Sequence, residues 1–176
     1  MKSTGIIRRI DELGRIVIPK ELRKSLRLRV GENIEIYVEG ENIVLKKFSM
    51  MNKITDLSQE LTDAMYSFMK YNILITDNHK VIACSGPNKK ELINKMISQT
   101  IVEKIEKREK MIETHIKPLT IVENKEYECS FISNPIMKDG EVIGMIIIFS
   151  EEEKVNIDQM KIVEIVSSFI TKYLEE

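Results

Sequence analysis

Seven of the nine guanidinium and ammonium groups in the first thirty residues cluster at turn edges and along one expected helix: Arg8, Arg9, Arg15, Arg23, Lys24, Arg27 and Arg29. Residues 1–29 carry nine basic and three acidic side chains, and residues 1–50 carry eleven and seven. The other 126 residues hold 16 basic and 21 acidic groups, so a net charge of −1 conceals a basic module joined to an acidic one. Arginine presents a forked set of donors that suits phosphate oxygens and the major-groove edge of guanine. Surface salt bridging is the plainer use of such groups. Around Arg23, Lys24 and Arg27, however, Glu21 is the one local acidic residue, so most of the charge stays uncompensated. The pattern implies a polyanion partner at one end of the chain, bound with a steep salt dependence because phosphate neutralisation releases counterions.

Other reactive side chains are sparse. Cys84 and Cys129 lie 45 residues apart, outside any C-x-x-C pair, and only His79 and His115 could join them around a metal. A reactive thiol needs an electropositive, partly exposed setting. Neither cysteine has a basic residue directly beside it, so two buried reduced thiols are expected, with no catalysis, no metal and no cofactor. Met50, Met51, Met65, Met69 and Met96 could line an adaptable ligand pocket or simply fill cores. No stretch approaches the roughly 20 apolar residues that span a bilayer, and the polar N-terminus lacks an apolar h-region. A cytoplasmic protein is expected.

The elements that would position the basic groups are short. Gly5–Ile10 and Arg15–Ile18 read as strands around the turn Asp11-Glu12-Leu13-Gly14. Pro19 would open a helix to about Leu26, with Leu22 and Leu26 on one face. Ile34, Ile36 and Val38 alternate with Glu35, Tyr37 and Glu39, and the turn 39–42 leads into Ile43–Leu45, a β-hairpin. Fifty residues of this kind bury little of their own surface and contain no disulfide or metal staple. They are expected to share a core with a second copy.

The run from Lys2 to Arg23, with its core Asp11-Glu12-Leu13-Gly14-Arg15-Ile16-Val17-Ile18-Pro19, closely resembles the AbrB-type transition-state regulators of spore-forming bacteria. The likeness continues through Ile34–Val38 and Ile43–Lys47. It implies a swapped-hairpin β-barrel dimer that binds double-stranded DNA. By resemblance Arg8, Arg15, Arg23 and Lys24 match DNA-contacting positions, and Arg9 joins them on charge. Position 24 departs from the family's usual arginine, keeping the charge while weakening a bidentate role. Antitoxins of toxin–antitoxin pairs share the swapped-hairpin fold and are the alternative, as an interaction or scaffold module. They typically carry a disordered tail, whereas this chain continues in patterned, foldable sequence.

After an expected linker at residues 49–54, that continuation reads as an α+β domain from residue 55 to 176. A helix from Thr55 carries Leu57, Leu61, Ala64, Met65 and Phe68. Strands follow at Asn72–Thr76, Val81–Cys84, Thr120–Val122, Tyr127–Ser133 and Val142–Phe149, with one or two helices over Lys89–Lys107 and a closing helix over about Asn156–Leu174. A weaker, full-length resemblance to the stage V sporulation protein T family implies that this domain is GAF-like, regulatory, and open to an unidentified small-molecule effector. Some GAF relatives reduce methionine sulfoxide with cysteines, which is the one enzymatic use open to Cys84 and Cys129. The closing helix bears two apolar seams. Ile162, Val166, Phe169 and Tyr173 form one. Met160, Val163, Ile170 and Leu174 form the other, interrupted by Ser167. One seam can pack on the sheet and the other on a partner helix, making a homotetramer of swapped dimers; the pattern leaves open which does which. The expected protein is a DNA-binding transcription regulator of sporulation type, activating or repressing.

Overall fold

The computed structural model describes residues 5–28 and 30–175. The expected contacts of Arg29 therefore lie outside the described residues. Contacts divide the chain into two compact units, with the boundary between Phe48 and Ser49.

In the first unit the hairpin forms as read. β1 (Ile34–Glu39) pairs antiparallel with β2 (Asn42–Lys47), placing Ile36 opposite Leu45 and Val38 opposite Ile43. The helix α1 spans Lys20–Ser25, and Pro19 precedes it as its N-cap, accepting a hydrogen bond from the Arg23 N–H at 2.9 Å. The runs Gly5–Ile10 and Arg15–Ile18, expected as strands, are irregular here. A strand exists through its ladder, and within one chain β1 and β2 are paired only with each other. Burial is correspondingly poor. Ile7, Ile10, Leu13, Val17, Ile36 and Val38 are 62–87 % exposed, and Pro19 alone is buried among the described residues of this unit.

The second unit holds a five-stranded antiparallel sheet in the order β4-β3-β7-β6-β5. Its strands are β3 (Asn72–Asp77), β4 (Val81–Ser85), β5 (Met111–Val122), β6 (Lys125–Lys138) and β7 (Glu141–Ser150). Alternation along β3 sends Leu74 to one face and Ile73 and Ile75 to the other, each into its own core. The first core lies with the inserted helices α3 (Lys89–Leu92) and α4 (Gln99–Lys107) and contains Ile97, Ile101, Tyr127 and Phe149. The second lies under α2 (Thr55–Met69) and α5 (Gln159–Tyr173). This two-faced antiparallel sheet, with β3 buried throughout and β7 buried from Gly144 to Ser150, is a GAF-like α+β fold.

Three local readings change. Residues 49–54, expected as a linker, contain a 3-10 helix (Met50–Ile54) whose Met51 and Ile54 are buried in the second core. β5 and β6 run far beyond the expected Thr120–Val122 and Tyr127–Ser133. Their extensions include Glu113, His115, Lys117 and two prolines, which look like loop in sequence. β5 is an edge strand, where proline is tolerated, and Pro135 of β6 sits close to the register shift at Ile136/Met137. Within β7, Gly144 passes so close to β3 that an added Cβ would lie 2.1 Å from the Thr76 carbonyl oxygen.

Candidate nucleic-acid interface

The turn at residues 11–15 is built around one carboxylate. Asp11 Oδ1 accepts hydrogen bonds from the backbone N–H groups of Leu13 (3.0 Å) and Arg15 (2.8 Å), while Oδ2 accepts from Arg15 Nε at 2.8 Å. Backbone bonds from Asp11 N to Arg15 O (3.1 Å) and from Gly14 N to Asp11 O (2.9 Å) close the loop. Gly14 supplies the positive φ of 77° that the reversal requires. The two backbone and side-chain bonds from Arg15, in that order, hold the Asp11 carboxyl below the usual carboxylate range. Arg15 nevertheless stays 70 % exposed.

The other basic candidates surround this turn in sequence. Arg8 and Arg9 precede it and are exposed, with Arg8 Nη1 donating to the Ile7 carbonyl at 2.9 Å. Arg23 and Lys24 stand on α1. Lys24 is exposed; Arg23 is half-buried, with its Nε shielded from solvent and without a hydrogen-bond partner. At the end of α1, Lys47 donates to the Arg27 carbonyl at 2.7 Å and pairs with Glu32 at 3.4 Å, fastening β2 to the helix terminus. Sequence reasoning read Asp11 only as part of a turn and gave Lys47 no contact. Asp11 had a signal, since an aspartate placed four residues before an arginine, with glycine between them, suits an Asx-type turn. The Lys47–Glu32 pair, fifteen residues apart, had none.

In the second unit α5 resolves the two seams. Met160, Val163, Ser167 and Ile170 are buried, and Leu174 packs against the same core. Ser167, the interruption, is accommodated by a 2.6 Å hydrogen bond from Asn134 Nδ2 and by donation to the Val163 carbonyl at 2.9 Å. Of the other seam, Ile162, Phe169 and Tyr173 are 41–49 % exposed, whereas Val166 is at the edge of the core at 9 %. The Phe169 and Tyr173 rings lie 6.3 Å apart on the open face. On α2 the buried positions are Ser58, Thr62 and Met65, which leaves Phe68 88 % exposed. Gln59, Thr62 and Asp63 anchor that helix to Ser85 at the end of β4. The Ser85 hydroxyl, followed by Gln59, holds the Asp63 carboxyl below its ordinary range.

Cys84 and Cys129 are both fully buried in the first core, and burial pushes each thiol up to about 12. The sheltered thiols are therefore protonated at neutral pH and poor nucleophiles. The methionines do not converge on one pocket: Met51 and Met65 fill the second core with Met69 against it, while Met96 is half-buried beside Lys80. Among the described residues no helix is long and apolar enough to cross a membrane.

Residues 53–175 match the family model described as stage V sporulation protein T C-terminal, transcription factor. Residues 7–49 match a second model, described as antidote-toxin recognition MazE, bacterial antitoxin. The chain is 36 % identical over 178 aligned residues to stage V sporulation protein T of Bacillus subtilis (strain 168), with 100 % of both chains covered. It is also 49 % identical over 63 residues to the transition state regulatory protein AbrB of the same organism, covering 36 % of this chain and 65 % of that one. The solved structure of a type II free methionine-R-sulfoxide reductase from Thermoplasma acidophilum superposes with a TM-score of 0.54 at 14 % identity, covering 72 % of this chain and 95 % of that one. At such identity the likeness is one of fold alone. With residues 53–175 matched by the family model and its whole length aligned, the chain belongs to the stage V sporulation protein T family of transcription factors.

Proposed function

We propose that this protein is a cytoplasmic transcription regulator of sporulation type, not an enzyme, that binds double-stranded DNA as an oligomer. One observation carries the proposal: exposed basic groups (Arg8, Arg9, Arg15 and Lys24, with Arg23 half-covered) stand on a unit whose apolar side chains have almost no cover of their own. A second copy exchanging hairpins would give Gly5–Ile10 and Arg15–Ile18 their missing ladders, bury the exposed isoleucines and valines, and duplicate the basic surface about a two-fold axis. The unit of residues 1–48 then contacts DNA, and the GAF-like unit serves regulation and assembly, with room for an unidentified small-molecule effector. The outward seam of Ile162, Phe169 and Tyr173, with Val166 at its margin, would join two such dimers into a tetramer. Several DNA-binding faces in one particle raise apparent affinity through effective concentration.

Labelled duplex DNA titrated with wild type and with Arg8→Ala, Arg15→Ala and Arg23→Ala at several salt concentrations tests the DNA-binding half. Each variant should bind more weakly, and each lost phosphate contact should lower the salt slope by about 1. Equal binding by all four proteins, or none by the wild type, overturns it. For assembly, Ile162→Asp with Phe169→Asp spares the buried Val166 and should halve the sedimenting mass; an unchanged mass refutes the tetramer.

The antitoxin-type match over residues 7–49 favours a second reading, an interaction module that captures a partner protein. Against it stands the second unit, a folded domain matched over residues 53–175 where antitoxins typically carry a disordered tail. Absence of DNA binding in the same titration would favour it.

A further inference from the structure

We propose that Asp11 determines DNA specificity as a positioning residue, by fixing the plane in which Arg15 is presented; this rests on the first unit being the DNA-binding one. The guanidinium of Arg15 gives its Nε–H to Asp11 Oδ2, and its terminal nitrogens make no hydrogen bond or ion pair among the described residues. The bond from Nε thus anchors the root of the fork and leaves both tines facing solvent. Asp11 is itself immobilised, because its other oxygen accepts the Leu13 and Arg15 backbone N–H groups within the closed 11–15 loop. Side chain and backbone of Arg15 are therefore referred to a single carboxylate.

Two opposed electrostatic effects follow. A loose arginine contacts phosphate as a mobile charge, which positions a protein without reading sequence. Bidentate recognition of a base edge needs a guanidinium held in one plane. Asp11 also places a negative charge within a basic surface, which lowers attraction to any polyanion. The carboxylate weakens general affinity and strengthens discrimination. A residue that merely held the turn together would affect both in the same direction.

The test uses the full chain with two probes: a pool of 40-base-pair duplexes of random sequence, and the duplex that wild type enriches most from that pool. Asp11→Asn keeps an oxygen for the two backbone N–H groups but removes the charge that engages Arg15. It should bind the pool as tightly as wild type or a few-fold more tightly, while the enriched-to-pool affinity ratio falls about tenfold. In an Arg15→Ala background the same substitution should leave the ratio unchanged. The Nε–Hε resonance of Arg15 should be shifted and slow to exchange in the free wild type and should collapse to the random-coil position in Asp11→Asn. An unaltered ratio, an unaltered resonance, or an equal loss of affinity for both probes each overturns the positioning role. Failure of the wild type to bind the pool at all would overturn the DNA-binding function itself, and is a separate result.

Discussion

The two units meet the same problem, cover for apolar side chains, to very different degrees. The second buries two continuous apolar cores, one on each face of its sheet, using only its own residues. The first presents Ile36, Val38, Ile43 and Leu45 on a hairpin with the alternation of a core strand, yet all four are 49–76 % exposed. Burial of a whole aliphatic side chain contributes about 1.5–3 kcal/mol, so leaving several of them in water is not a stable arrangement for a unit this small. Alternation tells which face of a strand is apolar. It does not tell whether the cover comes from the same chain.

Substitutions that treat the units as equals should therefore give unequal results. The largest effect is expected for Phe149→Ala, a fully buried ring 5.2 Å from Tyr127: about 3–5 kcal/mol lost in urea unfolding. Gly144→Ala drives a methyl into the Thr76 carbonyl and should destabilise the second unit by about 1–3 kcal/mol. Ile36→Ala and Val38→Ala sharpen the contrast. On a free surface each would change stability by less than about 0.5 kcal/mol. As members of a shared core each should remove about 1–2 kcal/mol, and the midpoint should move with protein concentration. A null result there would break the comparison, leaving the first unit self-sufficient.

The smallest effect concerns the thiols. Their folded pKa of about 12 stands above the ordinary value of about 8.5, so the folded state retains protons that the unfolded chain releases. Their contribution to stability is complete below about pH 8.5 and is lost as pH rises from there toward 12. Iodoacetamide at pH 8 should leave both cysteines unmodified until denaturant is added. Rapid native labelling of Cys84 or Cys129 would show that the first core is open.

Much of this was legible. The hairpin, α1, the strands β3 and β7 and the closing helix all follow from local patterning of apolar residues. Legibility failed where a residue's neighbours are distant in sequence. Ser167 looked like a flaw in an apolar seam because its partner Asn134 lies on β6. Thr62 took the buried face of α2 while Ala64 and Phe68 of the expected stripe stayed exposed, because Gln59, Thr62 and Ser85 satisfy one another there. The basic cluster was visible as charge, but the carboxylate that orients Arg15 was not singled out, because Asp11 was read only as a turn former. Met51 and Ile54 seemed to be linker because two buried contacts within six residues make no period.

The outer strand β5 has a further consequence for how this chain meets other molecules. An open sheet edge invites any extended segment to add a strand, the route to uncontrolled aggregation. β5 offers such an edge with Ile112 and Ile116 both 45 % or more exposed, yet its ladder shifts register between Glu113 and Lys117, and Pro118 has no N–H to donate. Lys117, ion-paired with Glu113, adds charge at the same place. The irregularity that hid this strand from sequence reading is thus a guard, one that keeps the sheet from propagating into neighbouring molecules while other surfaces remain free to assemble.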